Sequence, residues 1–272
     1  EIHSGDWSSD VCSSDLLARL IFFGLLVLVM PGFLMPGCAP IEPRGEAKNG
    51  DCVILLHGLG RGPSSMEPLA SHLKKNGYSV INTGYPSTQY PVARLAETYV
   101  PEMIRQCGRN GHKKIHFVTH SMGGIVIRQY LQNHQVPPGS RVVMLSPPNK
   151  GSELVDVFGG WFFFDWIYGP SGESLGTGPE SLPNRLEPVA VEIGIIAGRR
   201  SFNPASWLIP GADDGRVSVN RTKLEEMKDF LVLAHSHNRI MKSGNVCRQV
   251  TAFLETGRFR PNRPASEKGD RS

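Results

Sequence analysis

The residues around Ser121 suggest covalent chemistry more strongly than any other stretch of this chain. It stands in the stretch THSMGG (119–124), after a predicted strand at 114–119 and before a segment with helical spacing. A strand, a very tight turn and a helix form the elbow that exposes a nucleophilic serine, and small neighbouring residues let strand and helix approach closely. Thr119 stands where the elbow pattern has glycine, and a β-branched residue suits a strand end. The stretch therefore predicts that Ser121 attacks an acyl group.

An activated serine needs a histidine base, and the base needs a carboxylate that orients it. Asp213 and Asp214 follow one predicted strand and its loop, and His235 and His237 follow the next predicted strand. The order serine, aspartate, histidine, with each residue beyond a strand, suits such a triad. Both members of each pair stay open at this point. His120, next to the serine, is expected to point away from the pocket and to have a structural role.

Acyl transfer also needs two backbone N–H groups that face the developing negative charge. The first predicted strand runs into the turn HGLG (57–60), where Gly58 lets the backbone approach a substrate oxygen. We expect one N–H donor from Met122, the residue after the serine, and the other from Leu59. His57 is expected to support this loop rather than to titrate in the reaction.

The elements that would position these residues alternate along the chain. Short apolar runs predict strands at 52–56, 78–83, 114–119, 141–145, 191–197 and 230–234. Helical spacing of apolar residues predicts helices at 65–76, 93–107, 123–133 and 245–255. Such alternation predicts an α/β fold in which a mostly parallel sheet has helices on both faces.

The alternation is interrupted at about residues 156–187. This segment contains the aromatic run WFFFDWIY (161–168), followed by a stretch rich in glycine and serine. An aromatic run is more often buried packing than a substrate cradle. Its place between core strands also suits a small cap, or lid, over an acyl site.

As an ordered set, these motifs resemble those of bacterial lipases and esterases of the α/β-hydrolase fold. The resemblance extends over roughly residues 52–259 and rests on HGLG, HSMGG, LSPPNKGS, DDGRVSV and a late histidine before the final helix. It implies a Ser-Asp-His triad that cleaves carboxylic esters through an acyl-enzyme.

The resemblance also implies which member of each pair acts. Asp214 precedes glycine and matches the family's D-G-x-V pattern, so it is expected to be the acid, whereas Asp213 would brace the loop or be solvated. His237 occupies the family's position for the base, and His235 would be a loop or pocket-rim residue. The predicted catalytic residues are therefore Ser121, Asp214 and His237, with no cofactor and no metal.

Other functions remain open on the same residues. A thioesterase, a phospholipase or an acyltransferase would use the same triad, because each acts on an activated acyl group. From another class, the fold could serve as a non-catalytic binding module of the cell envelope, although three triad residues in order speak against it. The expected partner is a small-molecule or lipid ester.

Composition argues against several other classes of protein. The chain of 272 residues is 40% hydrophobic and 20% charged, which is ordinary for a soluble domain. Its net charge of +4 lies mostly in the tail 257–272, which we expect to be disordered, and no basic-aromatic pattern indicates nucleic-acid binding. The five cysteines show no metal-binding spacing. If the chain is exported, a disulfide such as Cys52–Cys107 is possible.

The N-terminal part predicts export and membrane association. Residues 1–15 are expected to be a sequencing-adapter artefact, because WSSDVCSSDL looks like a translated adapter. Residues 16–38 predict a signal peptide or a membrane anchor, and their end, MPGC, resembles a lipobox in which Cys38 would be lipidated. Residues 39–50 would be a linker, and 51–256 the catalytic domain. We therefore expect an exported or cell-envelope protein, either lipoprotein or membrane-anchored.

Overall fold

A parallel sheet forms the centre of the computed structural model, which describes residues 50–109, 111–158, 169–172 and 174–261. Its six strands follow the order β2-β1-β3-β4-β5-β6, and every pairing is parallel. The strands are β1 Cys52–Leu56, β2 Ser79–Ile81, β3 Ile115–His120, β4 Arg141–Leu145, β5 Glu192–Gly198 and β6 Asp229–Leu233. The predicted strands are confirmed, with ends that differ by one or two residues.

Helices connect the strands. They are α1 Glu67–Lys75, α2 Val92–Gly108, α3 Met122–Leu131, α4 Glu153–Phe158, α5 Leu182–Arg185 and α6 Gly244–Thr256. Short 3-10 helices occur at Pro63–Met66, Pro204–Leu208, Asn220–Thr222 and Ile240–Lys242. The four predicted helices correspond to α1, α2, α3 and α6. By contrast, α4 and α5 lie in or near the interrupted segment, where no helix was predicted.

Both faces of the sheet are covered by helices. Side chains of a strand alternate between the two faces, and β1 shows this directly. Cys52, Ile54 and Leu56 pack in one buried cluster with residues of α2 and α3. Val53 and Leu55 pack in another with residues of α1 and α6. These observations confirm the predicted α/β class, a parallel sheet with helices on both faces, since such a sheet needs an apolar cover on each face.

The register of the sheet aligns the carboxyl ends of three central strands. His120 of β3 pairs with Leu145 of β4, and Leu145 pairs with Ile196 of β5. The ladder continues for one residue beyond two of these strands, because the N–H of Ser121 donates to Leu145 O and that of Ser146 to Ile196 O, each at 2.9 Å. The loops after these strands therefore begin at one edge of the sheet.

A disulfide joins the first strand to the second helix. Cys52 at the start of β1 and Cys107 near the end of α2 are bonded, with their Cα atoms 5.8 Å apart. Both residues are buried, and Cys247 is a free, buried thiol. The pairing that the sequence left as one possibility is therefore the one in the structure.

Several predicted features lie outside the described residues. They are the segments 1–15 and 16–38, all but the last residue of the linker 39–50, the aromatic run 161–168, and most of the tail 257–272. The cap therefore stays a prediction. Within the described ranges, no helix is both long enough and apolar enough to cross a membrane.

Candidate active site

Ser121 lies on a strained turn between β3 and α3. Its backbone has φ 53° and ψ −126°, and a positive φ is uncommon for a residue with a side chain. The helix packs so closely that a Cβ on Gly123 would lie 2.4 Å from the carbonyl oxygen of Leu56. Strand, turn and helix thus have the geometry of a nucleophile elbow.

Thr119 fits beneath the helix that follows the elbow. Its side chain is fully buried, and its Oγ1 would lie 3.4 Å from a Cβ placed on Gly124, which is ordinary van der Waals contact. The closest neighbour of such a Cβ would be the Cβ of Pro147, at 3.0 Å. Threonine at 119 is therefore sterically compatible with this elbow, and the tight neighbour of residue 124 is Pro147.

The three predicted catalytic side chains meet at the edge of the sheet. The Oγ of Ser121 lies 2.9 Å from Nε2 of His237, and Nδ1 of His237 lies 2.8 Å from Oδ2 of Asp214. With the proton on Nδ1, the imidazole donates to the carboxylate and accepts from the serine hydroxyl. The backbone N–H of His237 also donates to Asp214 O at 2.9 Å, which ties the two loops together.

Asp214 is buried and richly hydrogen-bonded. Its Oδ1 accepts the N–H groups of Arg216 and Val217, each at 3.0 Å. Burial by itself would raise the pKa of Asp214. The facing His237, with its charge and hydrogen bond, the hydroxyl of Ser146 and the Val217 N–H outweigh this effect and hold the pKa below its ordinary value. The carboxylate is therefore ionised at neutral pH.

Ser146 was missed by reasoning from the sequence. It follows β4 with φ 47°, is fully buried and accepts the Gly198 N–H at 3.2 Å, and its hydroxyl helps to lower the pKa of Asp214. It belongs to the motif LSPPNKGS, which contributed to the resemblance without a role for its serine. Ser146 directly follows β4, and β4 lies next to β5, whose following loop carries Asp214. This position was the signal that could have revealed it.

Asp213 and His235 lie apart from this hydrogen-bonded chain. Asp213 accepts from the Ser206 hydroxyl and, at 2.7 Å, from the Gly215 N–H, so it braces its own loop as expected. His235 is partly buried in the loop after β6, and its carbonyl oxygen accepts the Arg200 N–H at 3.3 Å. Among the described residues that line the cavity beside Ser121, His235 does not occur.

The loop after β1 reaches the nucleophile. A Cβ on Gly58 would lie 3.0 Å from both the Cβ of Ser121 and Nδ1 of His120, so only glycine brings the backbone this close. Leu59 lines the cavity beside Ser121, and Met122 is the first residue of α3. One expected N–H donor thus belongs to the loop after β1 and the other to the residue that follows the serine. Their function as an oxyanion hole stays a prediction.

His57 fixes the start of this loop. Its ring stacks on Tyr85 with centroids 4.3 Å apart, and its Nε2 accepts the Tyr85 N–H at 3.3 Å. Its Nδ1 lies 3.0 Å from Gly58 O, and the Tyr85 hydroxyl donates to His57 O. Burial lowers the pKa of His57, against the opposing effect of the bonds to Gly58 and Tyr85, so the ring is neutral and supports the loop.

His120 does not point away from the pocket, and this expectation was wrong. Its side chain is buried, lines the cavity beside Ser121, and its Nε2 donates to His237 O at 2.9 Å. The two imidazole rings lie 4.8 Å apart between centroids. The reason is that the loop carrying His237 folds over the end of β3. It lies on the side to which His120, the last residue of that strand, points.

A cavity of about 370 Å³ opens beside Ser121 and His237. Its apolar wall consists of Leu154, Val155, Phe158 and Leu175. A concave, largely apolar site with a few convergent polar groups is typical of small-molecule binding. In the described part of the chain, no group of three or more His, Cys, Asp or Glu side chains is arranged to hold a metal ion.

Comparison with solved structures finds the same fold in known hydrolases. The lipase BlEst2 of Bacillus licheniformis in its mature form superposes with a TM-score of 0.61 and 21% identity, over 80% of this chain and 95% of that one. Its propeptide form has the same TM-score and 25% identity, over 84% of this chain and 54% of that one. The metagenomic carboxyl esterase MGS0156 superposes with a TM-score of 0.54 and 16% identity, over 78% of this chain and 71% of that one.

Comparison by sequence identifies the family. Proline iminopeptidase of Lactobacillus delbrueckii subsp. lactis is 31% identical over 122 residues, and this match spans only 40% of each protein. The sequence model of the alpha/beta hydrolase family matches residues 53–246, which is more than half of the chain. The protein therefore belongs to the alpha/beta hydrolase family.

Proposed function

We propose that the protein is a serine hydrolase that cleaves carboxylic esters through an acyl-enzyme. The observation that carries this proposal is the continuous hydrogen-bonded chain from Asp214 through His237 to Ser121, with distances of 2.8 and 2.9 Å, at the mouth of an apolar cavity. Each member has the partner that its role requires, because the base touches the nucleophile and the carboxylate touches the base.

The proposed reaction uses each contact in turn. Ser121 Oγ attacks the ester carbonyl carbon while its proton moves to Nε2 of His237, and ionised Asp214 stabilises the resulting imidazolium. The N–H groups of Leu59 and Met122 donate to the oxyanion. When the carbon–oxygen bond to the alcohol breaks, His237 returns the proton to the departing oxygen. Water then attacks the acyl-enzyme by the same route and regenerates Ser121.

The cavity lining supports an apolar acyl group on the substrate. Apolar side chains line the cavity beside the nucleophile, and burying a hydrocarbon against them is favourable by about 25 cal/mol per Å². The relatives of similar fold that are named lipase and carboxyl esterase agree with this substrate class. An acyl thioester would meet the same groups, so thioester hydrolysis is the nearest alternative.

A peptidase function is less well supported by the site. The proline iminopeptidase match suggests cleavage at a peptide's amino terminus, which calls for a carboxylate to bind the substrate's ammonium group. No Asp or Glu occurs among the described residues that line the cavity, whereas Arg61 and Arg216 do. A cationic wall repels an ammonium group, and the lining therefore favours esters.

We also propose that the protein works outside the reducing cytosol, in the cell envelope. The Cys52–Cys107 disulfide supports this location, because disulfides persist mainly in oxidising compartments. The apolar run within residues 16–38 supports membrane association through the N-terminus. Cell fractionation tests the location: recovery of the protein in the soluble cytosolic fraction, with free thiols at both positions, would contradict it.

The catalytic assignment is tested with a fluorophosphonate probe and p-nitrophenyl esters of short and long acyl chains. We expect the wild-type protein to be labelled and the Ser121→Ala variant to be unlabelled and inactive. His237→Ala should lower kcat/KM by roughly a thousandfold or more. The matched control His235→Ala should change it by less than about threefold, since that side chain lies outside the hydrogen-bonded chain. The reverse order of the two histidine variants would move the base to His235.

A further inference from the structure

A second cavity of about 330 Å³ adjoins the one beside Ser121. It is lined by residues within 60–65, on the loop after β1, and within 238–242, which follow His237. Its side chains are mostly polar and include the hydroxyls of Ser64 and Ser65. Among its described lining residues there is no leucine, valine or phenylalanine, whereas the first cavity has all three.

The two cavities share a wall made of Arg61 and Asn238. The guanidinium of Arg61 donates to Oδ1 of Asn238 at 2.6 Å. Asn238 directly follows the base His237, so this wall stands next to the imidazole. Because both residues line both cavities, a substrate group placed at this wall meets Arg61 from either side.

The second cavity is positively charged without compensation. Arg61 and Lys242 both line it, and the partner of Arg61 is a neutral amide rather than a carboxylate. In the described part of the chain, neither cation forms an ion pair. No Asp or Glu lines either cavity among these residues. Two cations without an anionic partner, lining one concave space, attract an anion.

The position of His237 decides which part of the substrate meets these cations. In the proposed reaction, Nε2 of His237 must deliver a proton to the departing alcohol oxygen, so the alcohol leaves on the side of the imidazole. Arg61 and Asn238 line the same cavity as Ser121 and His237, and Asn238 follows the base in the chain, so both lie near the imidazole. The apolar residues of the first cavity remain for the acyl group.

We infer that this hydrolase takes esters whose leaving alcohol carries a negative charge, a phosphate or a carboxylate, which Arg61 and Lys242 bind in the second cavity. The inference rests on the proposed function and specifies its substrate class: an apolar acyl group joined to an anionic alcohol.

The test compares two esters that differ only in charge. The butyrate esters of 3-hydroxybenzoate and 3-hydroxybenzamide share the acyl chain and the ring, and release of the phenol reports turnover of each. With the full chain at low salt, kcat/KM should be about tenfold higher for the anionic ester, and added salt should reduce this ratio. The butyrate ester of 3-hydroxyphenyl phosphate, which also releases a phenol, shows which anion is preferred, since a higher kcat/KM than for the benzoate assigns a phosphate and a lower one a carboxylate.

Substitutions locate the effect. Arg61→Gln and Lys242→Gln should each lower the anionic-to-neutral ratio of kcat/KM by about fivefold. Both side chains are exposed, so neither substitution removes a buried contact. The matched control is Arg239→Gln, which removes the same charge from an exposed position that lines neither cavity and should leave the ratio unchanged.

The outcomes separate this inference from the function on which it rests. A wild-type ratio at or below one, with normal fluorophosphonate labelling and turnover of the neutral ester, overturns the anionic class alone. If Arg239→Gln lowers the anionic-to-neutral ratio of kcat/KM as much as Arg61→Gln and Lys242→Gln do, the effect comes from overall charge. That result also overturns the assignment of the anion to the second cavity. No labelling and no turnover of any ester overturns both proposals.

Discussion

At the scale of single residues, the candidate site is held in place by backbone contacts as much as by side chains. The Asp214 carboxylate accepts two backbone N–H groups. The backbone of His237 is held on both sides, because its N–H donates to Asp214 O and its carbonyl oxygen accepts from Nε2 of His120. Such contacts exist before a substrate arrives. The site is therefore preorganised, which is the condition under which a triad contributes most to catalysis.

Ser146 is a positioning residue for Asp214 in this arrangement. Ser146→Ala removes the hydroxyl that accepts the Gly198 N–H and helps to lower the pKa of Asp214. We expect kcat to fall by about three- to tenfold with little change in KM, because the acid is less well oriented while the cavity is unaltered. Steady-state kinetics with a p-nitrophenyl ester measures both constants.

Ser140→Ala is the matched control for this prediction. Ser140 is also buried, and its hydroxyl oxygen accepts the N–H of Ile115 at the opposite end of the sheet. Both variants should lose about 1 kcal/mol in free energy of unfolding, but only Ser146→Ala should lose kcat. An equal loss of kcat in the two variants would show that Ser146 acts through general stability.

At the scale of elements, the elbow between β3 and α3 sets a strict limit on residue size. Gly123→Ala would place a methyl group 2.4 Å from the Leu56 carbonyl oxygen, so α3 must move away from β1. We expect a loss of about 2–3 kcal/mol in free energy of unfolding, together with loss of fluorophosphonate labelling. Urea unfolding and probe labelling measure the two effects.

Gly108→Ala provides the contrast within another helix. Gly108 ends α2, and nothing lies within 4 Å of a Cβ built there. Alanine should be neutral or should stabilise the protein by up to about 1 kcal/mol, because it restricts the unfolded chain. If Gly123→Ala behaved in the same way, the close approach of helix and strand would not be what limits residue 123.

The elements themselves could be predicted because their signals are local. Each strand is a short apolar run, and the serine between a strand and a helix indicated the elbow even with Thr119 in place of glycine. The contact of Ser146 with Asp214 and the turn of His120 into the pocket depend on which strands become neighbours. Residues far apart in the chain meet there only through the order of the sheet, which periodicity does not encode.

Arg128 shows the same limit within a helix. It is buried on α3, where its guanidinium donates to carbonyl oxygens of Asn149, Pro183 and Leu186. Burial lowers its pKa to about 10, so it remains charged and holds two loops against the helix. The sequence signals no burial for an arginine, because its partners are backbone oxygens that could belong to any residue.

At the scale of the whole molecule, the disulfide ties together parts of the chain that are 55 residues apart. Closing a loop of this length stabilises the folded state by about 4 kcal/mol in the chain-entropy description. We expect reduction to lower the free energy of unfolding by this order. Chemical unfolding with and without reductant measures the change, and the double variant Cys52→Ser/Cys107→Ser should unfold at one midpoint in both conditions. An unchanged wild-type midpoint in reductant would contradict the prediction.

Buried histidines make the stability depend on pH. Burial lowers the pKa of His57, His116 and His120 below the ordinary value of 6.5. As the pH falls below 6.5, these histidines take up protons in the unfolded chain before they do so in the folded protein. Their contribution to the free energy of unfolding is therefore complete above pH 6.5 and is lost as the pH falls toward their lower pKa in the folded state. Each such group contributes up to about 1.4 kcal/mol per pH unit.

We therefore expect the free energy of unfolding to change little above about pH 7 and to decrease as the pH falls from about 6.5 to 5.5. Urea unfolding at several pH values gives the slope, and His120→Gln should reduce it because one of the three groups is removed. A free energy of unfolding that is constant or rises toward pH 5.5 would contradict the prediction.

The spread of the triad along the chain determines when activity can begin during synthesis. Ser121 precedes His237 by 116 residues, so a ribosome adding roughly 5–20 residues per second makes the serine about 6–23 s before its base. In this interval the growing chain already contains both cysteines of the disulfide. On the proposed mechanism, it has no activity toward esters until β6 joins the edge of the sheet. On that mechanism the nascent chain is inert while it is made, and hydrolysis starts only once β6 is in place.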